Sequence, residues 1–420
     1  MKKQIKLICM LLTISLFACA NTKSMESAET KNLSETTVNA SVNNEERNGE
    51  RANSQNQGVR QGGGMGGMDK SGDEVLQNLI KSEVPKFKTL TYKDEDSGIE
   101  IIYNLYIPKN YDKNKKYPLV QFIPDASLFG KTAEASLTQG YGALVWTTDE
   151  AQVKNECFVY VPTFNQGLKN DYPELNVRMS SIVDDDSHFS EDVFINIDCI
   201  ESLCEEYSID KDRIYTTGQS MGGITSFFYA CYFNDIFAAY MPVGSQFDTE
   251  LIDKLNDRNI IYLVSEGDTK ASKGMNDLKA SLDEKGTNYS YAYFSIKDSM
   301  ENQNKIVNGE ISKGNNYNLF MFKKGEVVPE GVNSNNEHMF SFDYAYKIEA
   351  AREYLFSKTK PSINKAKNDE IQDAINAYSK NLEISTSAND YSSIYNAFIK
   401  TSLGQNMKAP RYIGQMYEYK

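Results

Sequence analysis

The fold of this chain is decided by residues 213–223, which read RIYTTGQSMGG and join a short apolar run to a helical pattern. A strand, a tight turn and a helix in that order put Ser220 at the apex of the turn. Gly218 and Gly222 suit such an elbow, because a strained turn and a closely packed helix both exclude a bulky Cβ. The five-residue pattern alone is weak and also fits a surface turn. The strand and helix around it favour Ser220 as a nucleophile.

A serine hydroxyl needs a general base, which in such sites is nearly always histidine. The chain contains two histidines, His188 and His338. In sites built on this elbow the partners follow the order serine, acid, histidine. His188 precedes Ser220 in the chain, so the order excludes it and predicts His338 as the base.

The acid that orients the histidine is expected on a loop after a buried strand between Ser220 and His338. Residues 260–264 read IIYLV and predict such a strand. Asp268 follows this strand and is predicted as the orienting carboxylate. Glu266, two residues earlier, is the alternative.

Five sequence blocks carry a resemblance to a known family. They read YIPKNY (106–111), KYPLV (116–120), IDKDRIY (209–215), QSMGG (219–223) and HMFSF (338–342). Together they resemble the α/β-hydrolase esterases that include polyhydroxybutyrate-depolymerase-like proteins, feruloyl-esterase-like proteins and bacterial predicted peptidases. The resemblance spans about residues 85–357. It implies hydrolysis of carboxylic esters, or less readily of peptides, through an acyl-enzyme and without a metal or organic cofactor.

One loop departs from the family pattern. Family members usually carry His-Gly and small residues where this chain reads PDAS at residues 124–127. A backbone N–H of that loop helps to form the oxyanion hole. The resemblance implies Met221 as one donor and Ala126 or Ser127 as the other. A carboxylate facing the oxyanion would oppose catalysis, so Asp125 either points away, recognises the substrate or impairs the site.

The N-terminus predicts export and anchoring. Three lysines precede an apolar stretch at residues 7–18, which is too short to span a bilayer and is typical of a signal peptide. The stretch runs into LFAC, which resembles the bacterial lipobox. Residues 1–19 are therefore predicted as a lipoprotein signal peptide with Cys19 lipidated. Cleavage at the A-x-A match in residues 18–20 is the alternative and would release a soluble secreted protein.

Composition and charge bound the partners. Residues 20–75 are rich in Asn, Ser, Glu, Thr and Gly, which cannot bury a core, and they predict a disordered tether. The net charge of −13 argues against nucleic acid and disfavours acidic polysaccharides. The expected partners are a small-molecule or polymer ester and, through the lipid anchor, the membrane. The expected location is the extracytoplasmic side of the bacterial cell envelope.

The rest of the chain alternates strands and helices. Helical patterns at residues 190–207, 221–233 and 273–284 lie between predicted strands. With the resemblance, this alternation predicts the α/β-hydrolase fold over residues 76–357, with a mostly parallel central sheet and helices on both faces. Residues 358–420 are predicted as a partly helical C-terminal extension. The predicted strands are 87–93, 99–107, 117–123, 158–161, 213–217, 238–243, 260–264, 289–295 and 317–322.

Three further features have two interpretations each. Four cysteines beyond Cys9 and Cys19 fit two disulfides, although their positions favour buried thiols, and no spacing suggests zinc. The acidic run at residues 184–186 beside His188 favours a solvated loop over a cation site. Trp146 is expected in the core rather than as a substrate platform.

Two other functions stay open from the sequence. The same residues permit a serine peptidase. The altered oxyanion loop favours a binding protein on a catalytically impaired scaffold.

Overall fold

The computed structural model describes residues 70–94, 98–164, 191–233, 236–246, 249, 255, 258–330, 332 and 337–360. Several predictions fall outside these ranges: the signal peptide with Cys19, most of the tether, the acidic run beside His188, and the extension beyond residue 360. Within the described ranges, no helix combines the length and the apolar character that crossing a membrane requires.

Nine strands of the described chain form one sheet. They are β1 (Phe87–Lys93), β2 (Glu100–Tyr106), β3 (Tyr117–Ile123), β4 (Phe158–Thr163), β5 (Ile209–Gln219), β6 (Ala239–Val243), β7 (Ile260–Ser265), β8 (Tyr289–Phe294) and β9 (Tyr317–Phe322). Their order across the sheet is β1-β2-β4-β3-β5-β6-β7-β9-β8. The pairs β1–β2 and β2–β4 are antiparallel, and every other pair is parallel.

Helices connect most of the strands. They are α1 (Glu74–Glu83), α2 (Ala133–Thr138), α3 (Asp149–Lys154), α4 (Glu191–Glu206), α5 (Met221–Tyr232), α6 (Thr269–Glu284), α7 (Met300–Ile311), α8 (His338–Lys347) and α9 (Glu349–Phe356). Short 3₁₀ turns occupy Val84–Lys86 and Ala126–Leu128. Helices α5 and α6 begin shortly after the carboxyl ends of β5 and β7, and α8 begins after the longer loop that follows β9.

Both faces of the sheet are covered. Strands β3 and β7 are buried at every position, which is typical of parallel strands between two helical layers. Helices α4, α5 and α6 pack on one face through residues such as Val193, Phe227 and Leu278. Helices α1, α7, α8 and α9 pack on the other, where Phe342 and Leu355 belong to the second core cluster.

The predicted strands and helices agree with the structure. All nine strands are present, with bounds that differ by up to four residues, and the three helical patterns correspond to α4, α5 and α6. The other six described helices lie outside those three patterns. Two of them, α2 and α3, have only six residues each, which is too short for a hydrophobic period to be recognised.

The packed part of the chain begins before the predicted boundary at residue 76. Residues 70–75, which the composition assigns to the tether, contact the domain. Lys70 forms an ion pair with Asp343 at 2.6 Å. The hydroxyl of Tyr141 donates to Asp73 at 3.0 Å. Because these contacts join the segment to helix α8 and to the chain after α2, the packed part includes it.

Two of the open interpretations are settled by burial. The four cysteines form no disulfide within the described residues, and three of them, Cys157, Cys199 and Cys231, are buried while Cys204 is half-buried. Trp146 is 1% exposed, and its indole N–H donates to the carbonyl of Gly142 at 2.7 Å. It is therefore a core residue, as predicted.

Candidate active site

Ser220 lies on a sharp turn between β5 and α5. Its φ of 53° makes it the only non-glycine residue with positive φ in the described ranges. Such a conformation costs on the order of 1–3 kcal/mol and persists where the surroundings enforce it. A Cβ on Gly218 would lie 2.4 Å from the backbone of Gly222, and one on Gly222 would lie 2.1 Å from the carbonyl oxygen of Ile123. Close packing therefore requires both glycines, as the sequence predicts.

The structure brings the three predicted side chains together. His338 Nε2 lies 2.8 Å from Ser220 Oγ, and His338 Nδ1 lies 2.5 Å from Asp268 Oδ2. The other carboxylate oxygen of Asp268 caps α6 by accepting the N–H of Ala271 at 3.2 Å. The Asp268 side chain is 3% exposed and that of His338 is 26% exposed. The shielded carboxylate favours the tautomer that carries the proton on Nδ1, which leaves Nε2 facing the serine hydroxyl.

Glu266, the alternative acid, is exposed and has other partners. The hydroxyl of Tyr293 donates to its Oε2 at 2.6 Å, and the N–H of Lys324 donates at 3.2 Å. These hydrogen bonds, that of Tyr293 foremost, lower the pKa of Glu266. The same contact raises the pKa of Tyr293 to about 12. The structure thus places Asp268, and not Glu266, against the histidine.

A second buried carboxylate, which no sequence motif marks, lies directly before the histidine. Glu337 is 3% exposed. It accepts hydrogen bonds from the hydroxyl of Ser265 and from the N–H of Gly325. A Cβ on Gly267 would lie 2.1 Å from its carboxyl carbon, so this approach needs glycine at 267. Glu337 thereby ties the start of α8 to the end of β7 and to the loop after β9.

The predicted oxyanion donors differ in their availability. Met221 is the first residue of α5, where the backbone N–H has no partner within the helix and the helix dipole favours negative charge. The N–H of Ser127 already donates to Asp125 Oδ1 at 2.9 Å. Asp125 caps the 3₁₀ turn that begins at Ala126, as aspartate does in an Asx turn. Ala126 is therefore the predicted donor that remains on this loop.

Asp125 takes the first of its three predicted roles, since it is 2% exposed and turned toward protein donors. One oxygen accepts the N–H of Ser127, and the other accepts from Gln219 at 3.0 Å. The sequence carries a local signal for this arrangement, because Asp followed two residues later by a backbone donor is a common turn. Nothing in the sequence marks Gln219 or Glu337 as partners, since their contacts join distant parts of the chain.

The described residues offer no metal site. Within them, no group of three or more His, Cys, Asp or Glu side chains is arranged to hold an ion. The side chains that converge at Ser220 are those of a nucleophile, a base and an acid.

No protein-family profile matches the chain, and no curated protein matches it. Solved structures do match. A thermostable esterase has 25% identity and a TM-score of 0.48, over 66% of this chain and 64% of its own. A candidate dipeptidyl aminopeptidase IV from Bacteroides ovatus has 16% identity and a TM-score of 0.42, over 65% and 36%. A CE1 ferulic acid esterase from Anaeromyces mucronatus has 16% identity and a TM-score of 0.37, over 63% and 91%.

The chain therefore spans under two thirds of the thermostable esterase and about one third of the Bacteroides ovatus protein. Its fold follows from its own topology. A mostly parallel sheet is covered by helices on both faces, and a serine occupies a strained elbow between a central strand and a helix. The acid and the histidine come after later strands, in that order. This is the α/β-hydrolase fold.

Proposed function

We propose that this protein is a serine hydrolase that cleaves carboxylic esters through an acyl-enzyme. The observation that carries the proposal is the continuous hydrogen-bonded chain from Asp268 through His338 to Ser220, with distances of 2.5 Å and 2.8 Å. A nucleophile, a base within hydrogen-bond reach and a third group that orients the base are the signature of an activated serine.

In the first half of the reaction, His338 Nε2 takes the hydroxyl proton while Ser220 Oγ attacks the ester carbonyl carbon. The carbonyl oxygen becomes an oxyanion, which the N–H groups of Met221 and Ala126 stabilise. Asp268 stabilises the imidazolium that forms. The tetrahedral intermediate collapses, the bond to the alcohol oxygen breaks, and His338 gives its proton to the leaving alcohol.

In the second half, water replaces the alcohol. His338 takes a proton from the water as its oxygen attacks the acyl carbon, and the same N–H groups hold the second oxyanion. The carbon–Oγ bond then breaks and the proton returns to Ser220, which releases the carboxylic acid. Every step uses groups of the described chain, and the backbone donors act on any acyl group that fits.

The impaired-scaffold hypothesis is weakened by two features. It depends on a carboxylate in the oxyanion loop, and that carboxylate accepts hydrogen bonds from the protein itself. A catalytically inactive site also has no need to keep Ser220 in a strained conformation with a φ of 53°. The peptidase hypothesis uses the same side chains and stays open, so both substrate types belong in the assay.

Replacement of Ser220 by alanine should abolish turnover of p-nitrophenyl acetate, because the acyl-enzyme cannot form. We expect a loss on the order of 10⁶-fold, with the melting temperature retained. A fluorophosphonate probe should label the wild-type protein and not the variant. The control is Ser312→Ala, at an exposed helix end.

Equal rates for the wild-type protein and Ser220→Ala would refute the proposal. Faster turnover of peptide p-nitroanilides than of acetyl, butyryl, hydroxybutyryl and feruloyl esters would favour the peptidase.

We further propose that the protein is held at the outer face of a bacterial membrane by a lipid on Cys19. The support is the apolar stretch that ends in LFAC. In a bacterial host, an alkyne analogue of palmitate should label the full chain, and Cys19→Ser should lose both the label and the membrane fraction. A label that persists in Cys19→Ser, or an unlabelled and fully soluble wild-type protein, would exclude the anchor.

A further inference from the structure

Asp125 is a buried carboxylate without a cationic partner in the described chain. It is 2% exposed, and the hydrogen bonds that it accepts come from neutral donors. A buried carboxylate is costly unless its oxygens are satisfied. Asp125 stands immediately before the predicted oxyanion donor Ala126. Its position, and not only its burial, therefore calls for an explanation.

Three segments of the chain meet at this carboxylate. Its Oδ1 accepts the N–H of Ser127 at 2.9 Å. Its Oδ2 accepts from the side-chain amides of Gln139 at 2.5 Å and of Gln219 at 3.0 Å. The two glutamines also contact each other, since Gln219 Nε2 donates to Gln139 Oε1 at 2.8 Å. Gln139 Nε2 lies 3.1 Å from Ser127 Oγ as well.

The three segments are the oxyanion loop, the end of α2 and the last residue of β5. Gln219 directly precedes the nucleophile and is itself 2% exposed. The network thus joins the two places from which the oxyanion hole takes its donors, namely the loop at Ala126 and the elbow at Met221. The hydrogen bond to Asp125 also withdraws the N–H of Ser127 from the hole.

We propose that Asp125 is a positioning residue for the oxyanion hole, acting through Gln139 and Gln219. This inference rests on the proposed ester hydrolysis. The carboxylate fixes the loop so that the N–H of Ala126 faces the same point as the N–H of Met221. This loop lacks the His-Gly sequence of the resembling family, and here the hydrogen bonds of Asp125, Gln139 and Gln219 fix its conformation instead.

The chemistry explains why an acid is needed. Two glutamine amides and one backbone N–H all donate to Asp125, and an ionised carboxylate is an acceptor only. An asparagine side chain has the same shape but would turn N–H groups toward the N–H groups of the glutamines. The network would then lose hydrogen bonds, and the loop would lose its fixed position relative to Ser220.

The test is a charge swap between positions 125 and 219. Asp125→Asn and Gln219→Glu should each lower kcat for p-nitrophenyl acetate by about 10-fold to 100-fold, less than the loss of a whole oxyanion donor. Asp149→Asn, whose side chain is 87% exposed, is the control.

The double variant should recover most of the lost rate, because the swap restores the balance of donors and acceptors. The amide introduced at position 125 then donates to the carboxylate introduced at position 219. Gln139 turns its own amide, so that its N–H₂ group donates to the new carboxylate and its carbonyl oxygen accepts from the new amide.

Two readouts separate positioning from a merely structural role. A trifluoromethyl ketone forms an adduct with Ser220 that places an oxyanion in the hole, so its Ki should rise in proportion to the fall in kcat/KM across the variants. KM and the shape of the pH–rate profile should stay as in the wild-type protein. A structural role would lower the melting temperature and leave the rate per active site unchanged.

The inference is overturned if the single variants keep the wild-type rate per titrated active site, if the double variant is no faster than the singles, or if Ki does not follow kcat/KM. These outcomes leave ester hydrolysis intact, because the wild-type protein still turns over and Ser220→Ala does not. Failure of the proposed function looks different, since the wild-type protein itself would then show no turnover and no labelling, and this inference would fall with it.

Discussion

The surroundings of Ser220 divide into two sides. The relay side is formed by residues 265–268 and 337–338, and the oxyanion side by residues 123–127, 139 and 219–222. Apart from Asp268, which contacts the histidine, each side contains one buried carboxylate that accepts hydrogen bonds from neutral donors, Glu337 on the first and Asp125 on the second. On the relay side the carboxylate approaches the chain where a glycine leaves room for it. On the oxyanion side, two glutamine side chains surround it.

In the proposed reaction, the two sides differ in which of their atoms take part. On the relay side the reacting groups are side chains, so only particular residues can provide them. On the oxyanion side the donors are backbone N–H groups, which almost any residue can provide. What distinguishes one oxyanion loop from another is therefore the set of side chains behind it. The relay side is specified by the residues that react, and the oxyanion side by the residues that hold the backbone.

Two glycine substitutions, one on each side, should lower the free energy of unfolding by different amounts. In Gly222→Ala the new Cβ meets the carbonyl oxygens of Ile123 and Pro124 at 2.1 Å and 2.8 Å, which are backbone atoms of the oxyanion side. We expect a loss of about 3 kcal/mol in the free energy of unfolding, at the upper end of overpacking costs. In Gly267→Ala the three atoms nearest to the new Cβ all belong to the carboxyl group of Glu337. A side chain can yield, so we expect about 1 kcal/mol.

Denaturant unfolding of a double-mutant cycle checks this prediction. Truncation of Glu337 to alanine should remove most of the additional cost of Gly267→Ala, whereas the same truncation should not relieve Gly222→Ala. Gly309→Ala serves as the control, because it lies within α7 with nothing within 4 Å of the new Cβ, and it should stabilise the protein slightly. Equal costs for Gly222→Ala and Gly267→Ala would show that both sides are equally deformable.

The sequence predicts the residues of the relay side well, because the patterns that mark them are either short local motifs or depend on the order of residues along the chain. The elbow is visible as two glycines around Ser220, and chain order alone selects His338. The strands are visible as apolar runs, so all nine can be predicted. Distance from the strand end favours Asp268 over Glu266, and the structure shows the same choice.

The sequence does not predict the network behind the oxyanion loop, because its contacts are long-range and its residues are ordinary. Gln219 lies 94 residues from Asp125 and 80 from Gln139, and glutamine occurs on many surfaces. The resemblance alone cannot exclude Ser127 as a donor, although its N–H has a partner only two residues away. The order of β9 and β8 at the sheet edge also depends on packing that periodicity does not encode.

Three carboxylates lie near the end of β7, and the loss of kcat on replacing each by its amide should be larger the closer the carboxylate lies to the reacting atoms. Asp268→Asn sets the upper limit, with a loss of kcat on the order of 10⁴-fold, because the imidazole loses the acceptor that fixes its tautomer. Glu337→Gln keeps the shape but weakens the contacts to Ser265 and Gly325, so we expect about a 10-fold loss, one hydrogen bond to a charged group being worth about 1.5–3 kcal/mol. Glu266→Gln should stay within about twofold, as expected for an exposed side chain.

Glu266→Gln is the matched control for Glu337→Gln, since both change one glutamate to its amide on either side of the same loop, and only Glu337 is buried. Initial rates on p-nitrophenyl acetate, normalised to fluorophosphonate-titrated sites, separate lost activity from lost folded protein. If the rate of Glu337→Gln matched that of Glu266→Gln, the start of α8 would hold His338 in place without the Glu337 carboxylate. Of the buried carboxylates Glu337 and Asp125, only Asp125 on the oxyanion side would then affect the rate, and Glu337 on the relay side would not.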